Sequence, residues 1–334
     1  MTNITQTLTS NIPHNEQSII QLCVVFVVLL LTLFLLNLVI NKLRKKQIHY
    51  KKIVYFSLMW ALGLSLISLG AQSIYQNNTF SVQTKVLKPI QKYERQKSDR
   101  EAKNDHTTRP EIEKMVMRQA IKGLDKQGFV AIPNRNILLP IYNDAYSDNG
   151  LNAGADYANK SAVDPTGDNK PIMGQGNYGL AAHNFNDGKT GFSALQQETN
   201  HDSPYLQNNQ LKGSNWLNGQ SVLLANAQGV YDYKITGQTL VTPETVSVLN
   251  PTQQAEVTII SCLFPSTNYR IITHAQLNKA YTWQNAPENL VNEFNLKIRD
   301  TNARASWWNP GIEEGANGDK GGTDRKSTRL NSSH

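Results

Sequence analysis

Three short apolar runs end on side chains that together suit acyl transfer. Residues 178–183 (YGLAAH) end on His183, residues 257–262 (VTIISC) end on Cys262, and residues 269–275 (YRIITHA) carry Arg270 as their second residue. A thiol with a pKa near 8.5 is only slightly ionised at neutral pH, so a nucleophilic cysteine needs a base or cation beside it. An imidazole titrates in the working range and can return a proton to a departing amine. A guanidinium stays charged and offers a planar fork to a developing oxyanion. Taken singly, each has a plainer reading: a small buried cysteine, a hydrogen-bonded core histidine, an edge-strand ion pair. Together they point to a cysteine enzyme, with Cys262 the nucleophile, His183 the acid and base, and Arg270 the oxyanion stabiliser.

Only Cys23 and Cys262 occur in the chain, and Cys23 falls in an apolar run. A domain with one cysteine cannot form an internal disulfide, so reactivity is the better reason for Cys262. The chain order, histidine before cysteine, argues against a papain-like peptidase. Single histidines such as His201 and His274 give no zinc spacing. His274 shares a strand face with Arg270 by its even offset, and a solvated position is the reading preferred for it.

The elements that must carry these groups read as strands. Residues 129–132, 137–142, 180–183, 221–225, 230–236, 257–262 and 270–275 are short and rich in β-branched and aromatic residues. Ala227, Gln228 and Gly229 make a hairpin turn between two of them. A mostly antiparallel β-domain, closed or nearly so, follows. Ahead of it, residues 111–124 place Ile112, Met115, Val116, Ala120, Ile121 and Leu124 at helical spacing behind Pro110. Residues 150–179, crowded with Gly, Asn, Asp and Pro, read as a long loop with one helical turn at most, and 243–254 as a second long connection.

The first quarter is of another kind. Residues 19–40 and 53–74 carry no charge, and each is long enough to cross a hydrocarbon core of roughly 30 Å. Between them, residues 41–52 hold six basic residues and no acid, which predicts a cytoplasmic loop and a two-pass hairpin with residues 1–18 and the large domain outside the cell. That loop supplies six of the formal net charge of +7, so nothing suggests a nucleic-acid partner. Residues 75–110 read as a polar stalk, partly helical at most, and 111–300 as the catalytic domain. Residues 301–334 read as a disordered tail whose last stretch, 324–334, bears no relation to the domain pattern.

These motifs resemble those of the sortases, membrane-anchored cysteine transpeptidases of Gram-positive cell envelopes. Thr258, Ile259, Ile260, Ser261 and Cys262 are similar to the family's Thr-Leu-x-Thr-Cys, and Ala181, Ala182 and His183 to its Ala-Gly-His. Phe192 to Leu195 sits where sortases place an aromatic and a leucine after the histidine, and 128–133 with 139–142 resembles the first strands of the class A domain. Ser261 and Ala182 depart from the pattern, the first losing the methyl that stiffens a threonine rotamer and the second reducing backbone freedom.

The resemblance implies a closed sortase-type β-barrel with a few short helices. It implies cleavage of a Leu-Pro-x-Thr-Gly sorting signal through a thioacyl intermediate and transfer of the surface protein to an amine of a peptidoglycan precursor. Ala181, Ala182, Ile260 and Ser261 match motif positions beside the reactive groups and are expected to wall the substrate groove. No cofactor is required. Calcium, which some sortases bind, could engage Asp144, Asp148, Asp156, Asp164 or Asp168, but solvated turn residues are the preferred reading of these acids. A pilus-type or other-class sortase, and an inactive membrane-tethered peptide-binding module, are the alternatives.

Overall fold

The computed structural model describes residues 14–43, 49–76 and 78–303. The expectations for 1–13, for the middle of the basic loop and for 304–334 lie outside the described residues. The chain divides into a unit ending at Thr79 and a unit beginning at Phe80.

The first unit is two helices, α1 (His14–Leu43) and α2 (Tyr50–Gln76). Their apolar stretches, Phe26–Leu43 and Tyr50–Tyr75, have mean hydropathies of 2.3 and 1.8 and are long enough to cross a membrane. Asn37 donates its amide to the Leu33 carbonyl at 2.9 Å and to the Ser57 hydroxyl of the facing helix at 3.4 Å. A polar contact of this kind joins helices where apolar surface alone gives no preference.

The second unit opens with α3 (Val82–Ala102), where a stalk with little helix was expected. Its stability comes from the domain it touches. Arg95 forks onto Glu293 at 2.8 and 2.7 Å, and the Ser98 hydroxyl donates to the Ile298 carbonyl at 2.8 Å. Helix α4 (Arg109–Met117) follows, begun by a reciprocal cap between Thr108 and Glu111. It stops at Met117, seven residues short of the periodic pattern. Arg118 is extended, and the Gln119 side chain bonds the Ile121 and Leu124 carbonyls and the Lys126 amide, giving the chain a turn in place of a helix.

The barrel strands are β1 (Lys126–Ile132), β2 (Ile137–Tyr142), β3 (Ala155–Ala158), β4 (Asn177–Ala181), β8 (Ser221–Asn226), β9 (Gly229–Val241), β10 (Glu256–Cys262) and β11 (Arg270–Tyr281). They pair in the order β11-β10-β4-β3-β2-β1-β8-β9, and β9 pairs β11 again, closing a ring of eight. Two pairings, β2–β3 and β4–β10, are parallel and the rest antiparallel. The short strands β5 (Leu206–Gln207) and β6 (Gln210–Leu211) pair with each other, and β7 (Gly213–Ser214) pairs with β9. Helix α5 (Asp148–Leu151) is the single turn in the 143–176 connection, and α6 (Glu288–Val291) follows the barrel. Strand β3, inside the stretch read as loop, is the barrel stave the sequence pattern hid.

Period-two alternation sorts the core. Val130, Ile132, Ile137, Leu139, Val222, Leu224, Val257 and Ile259 fill the barrel, while Phe129, Ala131, Leu138, Leu223 and Ala225 point outward. The outward set is roofed by Ile112, Met115 and Val116 of α4 and by Trp283, Val291, Phe294 and Leu296. Each such fully buried side chain stabilises the fold by about 1.5–3 kcal/mol. The outer face of β4 and β10 is roofed only in part, and it is on this face that the cysteine singled out in the sequence lies.

Candidate active site

Strand β4 sends Tyr178, Leu180 and Ala182 into the barrel and so turns Gly179, Ala181 and His183 outward. In β10, Val257 and Ile259 go in, leaving Thr258, Ile260 and Cys262 on the outer face. The parallel ladder pairs Ile260 with Ala181, and the Ala182 amide donates to the Ile260 carbonyl at 3.3 Å. Carried two residues on, this register sets His183 level with Cys262. On the other side, Cys262 pairs directly with Arg270, the last pair of the β10–β11 ladder. By this register His183, just past the end of β4, falls in line with Cys262 and Arg270 on one face. All three are half-buried, between the buried neighbours Ala182, Ser261 and Ile271.

The four expected groove residues divide. Ala181 and Ile260 are half-buried on the same face as the row of three. Ala182 (6% exposed) and Ser261 (3%) are turned to the opposite face and buried in the wall. Motif proximity could not separate them, but the two-residue period does.

Past β4 the chain turns sharply and returns. The Phe192 amide donates to the His183 carbonyl at 2.9 Å, and Gly191 sits at φ +59° where a Cβ would lie 2.2 Å from that same oxygen. Only glycine fits there. Further on, the outer face of β4 and β10 is covered by the one-turn 3-10 helix Val246–Leu249, whose Leu249 lies over Gly179. Asn177 pins this cover by donating to the carbonyls of Val248 and Asn250 at 2.9 and 3.0 Å. Beyond this cover the outer face carries the half-buried Ala181 and Ile260 and then His183 and Cys262.

Burial holds the His183 imidazole below the ordinary histidine value, and the carboxylate of Asp148 at the start of α5 pulls weakly the other way. The Phe185 ring meets the imidazole edge-on at 5.5 Å between centroids. Arg270 donates through Nη1 to the Thr267 and Tyr269 carbonyls at 2.8 and 3.1 Å. Across an open depression from it lies Glu244, held below the usual carboxylate range first by a backbone amide, then by Thr242 and by the Arg270 charge.

Several positioning residues escaped the sequence reading. Asn184 donates to the Cys262 carbonyl and to the Gln196 side chain, both at 2.8 Å. Gln196 in turn accepts from the Phe264 amide at 3.0 Å and donates to its carbonyl at 2.6 Å. Asp202 accepts from the amide and hydroxyl of Ser266 at 3.0 and 2.6 Å, fixing the turn between Cys262 and Arg270. Asn302 donates to the carbonyls of Lys189 and Gly191 at 2.6 and 3.1 Å and accepts from the Leu138 amide at 2.8 Å. The neighbours of the histidine motif were the available signal for Asn184 and Gln196. Nothing in the sequence marks Asn302.

His274 does share the outer face of β11, half-buried, with Nε2 3.1 Å from the Thr239 hydroxyl. Of the acids considered for calcium, Asp164 caps its own turn by accepting from the amides of Gly167, Asp168 and Asn169. Asp144 accepts likewise from the Tyr146 amide and the Ser147 hydroxyl. Asp156 (0% exposed) and Asp164 (7%) both depart from the solvated reading, and Asp156 is a strand residue paired in register with Ala181. Among the described residues no three His, Cys, Asp or Glu side chains converge as a metal site.

Residues 130–278 match the family model described as a sortase domain. A sortase A of Streptococcus agalactiae serotype III (strain NEM316) is 27% identical over 271 residues, covering 77% of this chain and 98% of that protein. A sortase A of Bacillus anthracis is 26% identical over 218 residues, covering 63% of this chain and 86% of the relative. The solved sortase A of Listeria monocytogenes is 24% identical, covers 51% of this chain and 96% of its own, and superposes with a TM-score of 0.39. The closed eight-strand barrel, the sortase domain matched over residues 130–278 and relatives alike over most of their own length together support membership of the sortase family.

Proposed function

We propose that this chain is a membrane-anchored, class A-like transpeptidase that joins surface proteins to the cell wall. It takes a Leu-Pro-x-Thr-Gly-type signal, with Cys262, His183 and Arg270 as its catalytic residues. The observation that carries this reading is their common row: Cys262 paired with Arg270, and His183 level with Cys262, on one half-open face.

In the first step the Cys262 thiolate attacks the threonine carbonyl carbon and a C–S bond forms. The C–N bond to glycine then breaks, and the imidazolium of His183 protonates the departing amine. In the second step a cell-wall precursor amine attacks the thioester, His183 takes its proton, and Cys262 leaves as the thiolate. Arg270 faces the tetrahedral oxyanion in both steps, and an oriented donor of this kind contributes about 10²–10³ in rate. Ala181 and Ile260 form the groove floor leading to the thiol. The two apolar helices anchor the enzyme with its catalytic domain outside the cell, where both substrates are presented.

The test is incubation of the full chain, in lipid nanodiscs, with a sorting-signal peptide and an amine, followed by mass spectrometry. Transfer product that is lost in Cys262→Ala, His183→Ala and Arg270→Ala supports the reading. Product persisting in Cys262→Ala sinks it.

A further inference from the structure

Helix α3 has a buried face and an exposed apolar stripe. Gln83, Leu87 and Ser98 are buried, and Arg95 and Ser98 bond the domain. Val82 (36% exposed), Val86 (47%), Ile90 (44%) and Tyr93 (62%) follow one another at intervals of four, four and three residues, with Ile90, three residues from Leu87, at the border of the buried face. That spacing lines them along one face of the helix. Lys85, Lys92 and Lys97 flank this stripe. The acids of the helix are paired: Glu94 with Lys189 at 3.3 Å, Asp99 with Arg299 at 3.2 Å, and Glu101 with Lys97 of the same helix at 3.8 Å, so Lys85 and Lys92 carry the basic border. The outward face is therefore apolar and basic.

We propose that α3 lies on the outer surface of the membrane, with Val82, Val86, Ile90 and Tyr93 immersed at the level of the headgroups and the flanking lysines against anionic lipid. The inference rests on the reading of α1 and α2 as membrane spans. Two observations select a bilayer over a protein partner. The apolar stripe with lysine borders and no free acid is the composition of an interfacial helix. The chain also leaves α2 at Gln76 and enters α3 at Val82, so the connection reaches at most about 20 Å fully extended. Such a tether keeps the first turns of α3 near the surface from which α2 emerges. A tyrosine at the far end of the stripe suits the same depth, with its ring among acyl chains and its hydroxyl in water. The other face of α3 grips the domain, so immersion would set the height and tilt of the reactive groove above the bilayer.

The test uses the full chain carrying Cys23→Ser and Cys262→Ala, reconstituted in phosphatidylcholine vesicles with and without phosphatidylglycerol. Single nitroxide labels are placed through Val86→Cys, Ile90→Cys and Tyr93→Cys. Leu58→Cys serves as the anchor reference and Val163→Cys as the water reference. Collision with oxygen, which partitions into lipid, is compared with collision with a water-soluble nickel chelate. The expected result is a several-fold preference for oxygen at all three stripe positions relative to Val163→Cys, strengthened by phosphatidylglycerol. Stripe labels that behave like Val163→Cys while Leu58→Cys reports lipid overturn the proposal and leave the anchor intact. A water-like Leu58→Cys overturns the anchor and the proposal with it. Dipolar broadening between stripe labels of two chains, with no gain from phosphatidylglycerol, overturns it in favour of self-association.

Discussion

The side-chain amide of Asn184 donates to the backbone carbonyl of Cys262 across 2.8 Å, so the residue after the histidine is bonded to the cysteine itself. The histidine and cysteine segments are 78 residues apart in sequence at this contact, and this bond extends the β4–β10 pairing past the last ladder pair. Asn184→Ala removes the side-chain donor shared by the Cys262 carbonyl and the Gln196 side-chain oxygen, the latter keeping only the Phe264 amide. Loss of about 1–3 kcal/mol of stability is expected from a thermal melt. A fall of about 10–100-fold in transfer rate should accompany it, with Cys262 still open to alkylation.

Asn302 acts on the opposite end of the same turn. It lies beyond the 130–278 domain match, yet its side chain and backbone join β2 to the segment returning to His183. Asn302→Ala should speed hydrogen exchange of the Gly191 and Phe192 amides about tenfold or more and broaden the His183 ring signals, while barrel amides such as that of Val257 keep their protection. Unchanged exchange at Gly191 and Phe192 would remove Asn302 from the positioning set.

The titration of His183 has two opposed causes, burial lowering it and Asp148 raising it, with burial the larger. The imidazole is therefore expected to titrate below the ordinary histidine range by NMR. Asp148→Asn removes the anion that favours the imidazolium, so the midpoint moves further down. An upward or absent shift in Asp148→Asn contradicts the arrangement.

Asp156 is fully buried, neither carboxyl oxygen makes a hydrogen bond of good geometry, and burial pushes its pKa up to about 8, with the Asp144 charge adding to it. An unfolded aspartate ionises near 3.9. Between about pH 4 and pH 8 the unfolded chain has lost this proton and the folded chain keeps it, so stability falls as pH rises through that window. Asp156→Asn, which cannot ionise, should gain on the parent across the same window, by an amount on the order of a few kcal/mol near pH 8 and little near pH 4. Denaturant titrations at the two ends of the window measure it.

The barrel was legible in the sequence because its staves alternate. Val130 and Ile132 against Phe129 and Ala131 announce a strand buried on both sides, and the hairpin at Ala227 and Gln228 was signalled by its turn residues. His183, Cys262 and Arg270 stood out as candidates for a related reason, since each ends or begins a short apolar run. What remained hidden depends on tertiary partners. Strand β3 is four residues long in a stretch rich in Gly, Asn and Asp, and is held by pairing with β2 and β4. Helix α3 has a sequence too polar to announce a buried face, yet Arg95 and Ser98 find their partners nearly 200 residues away. Residues 118–124 kept a helical pattern, but the Gln119 side chain bonds the backbone of a turn there. Ala182 and Ser261 were drawn into the groove by motif membership, and only register returns them to the wall.

Ring closure through β9 and β11 leaves each of the eight staves with a neighbour on both sides. The staves therefore offer little free margin for an added strand, open edges being kept by β7 and the β5–β6 pair. A peptide of the kind proposed as substrate would then be read mainly by side chains on the outer face and by the segments arching over it. Relatives with the same staves could accept different signals by changing those coverings alone.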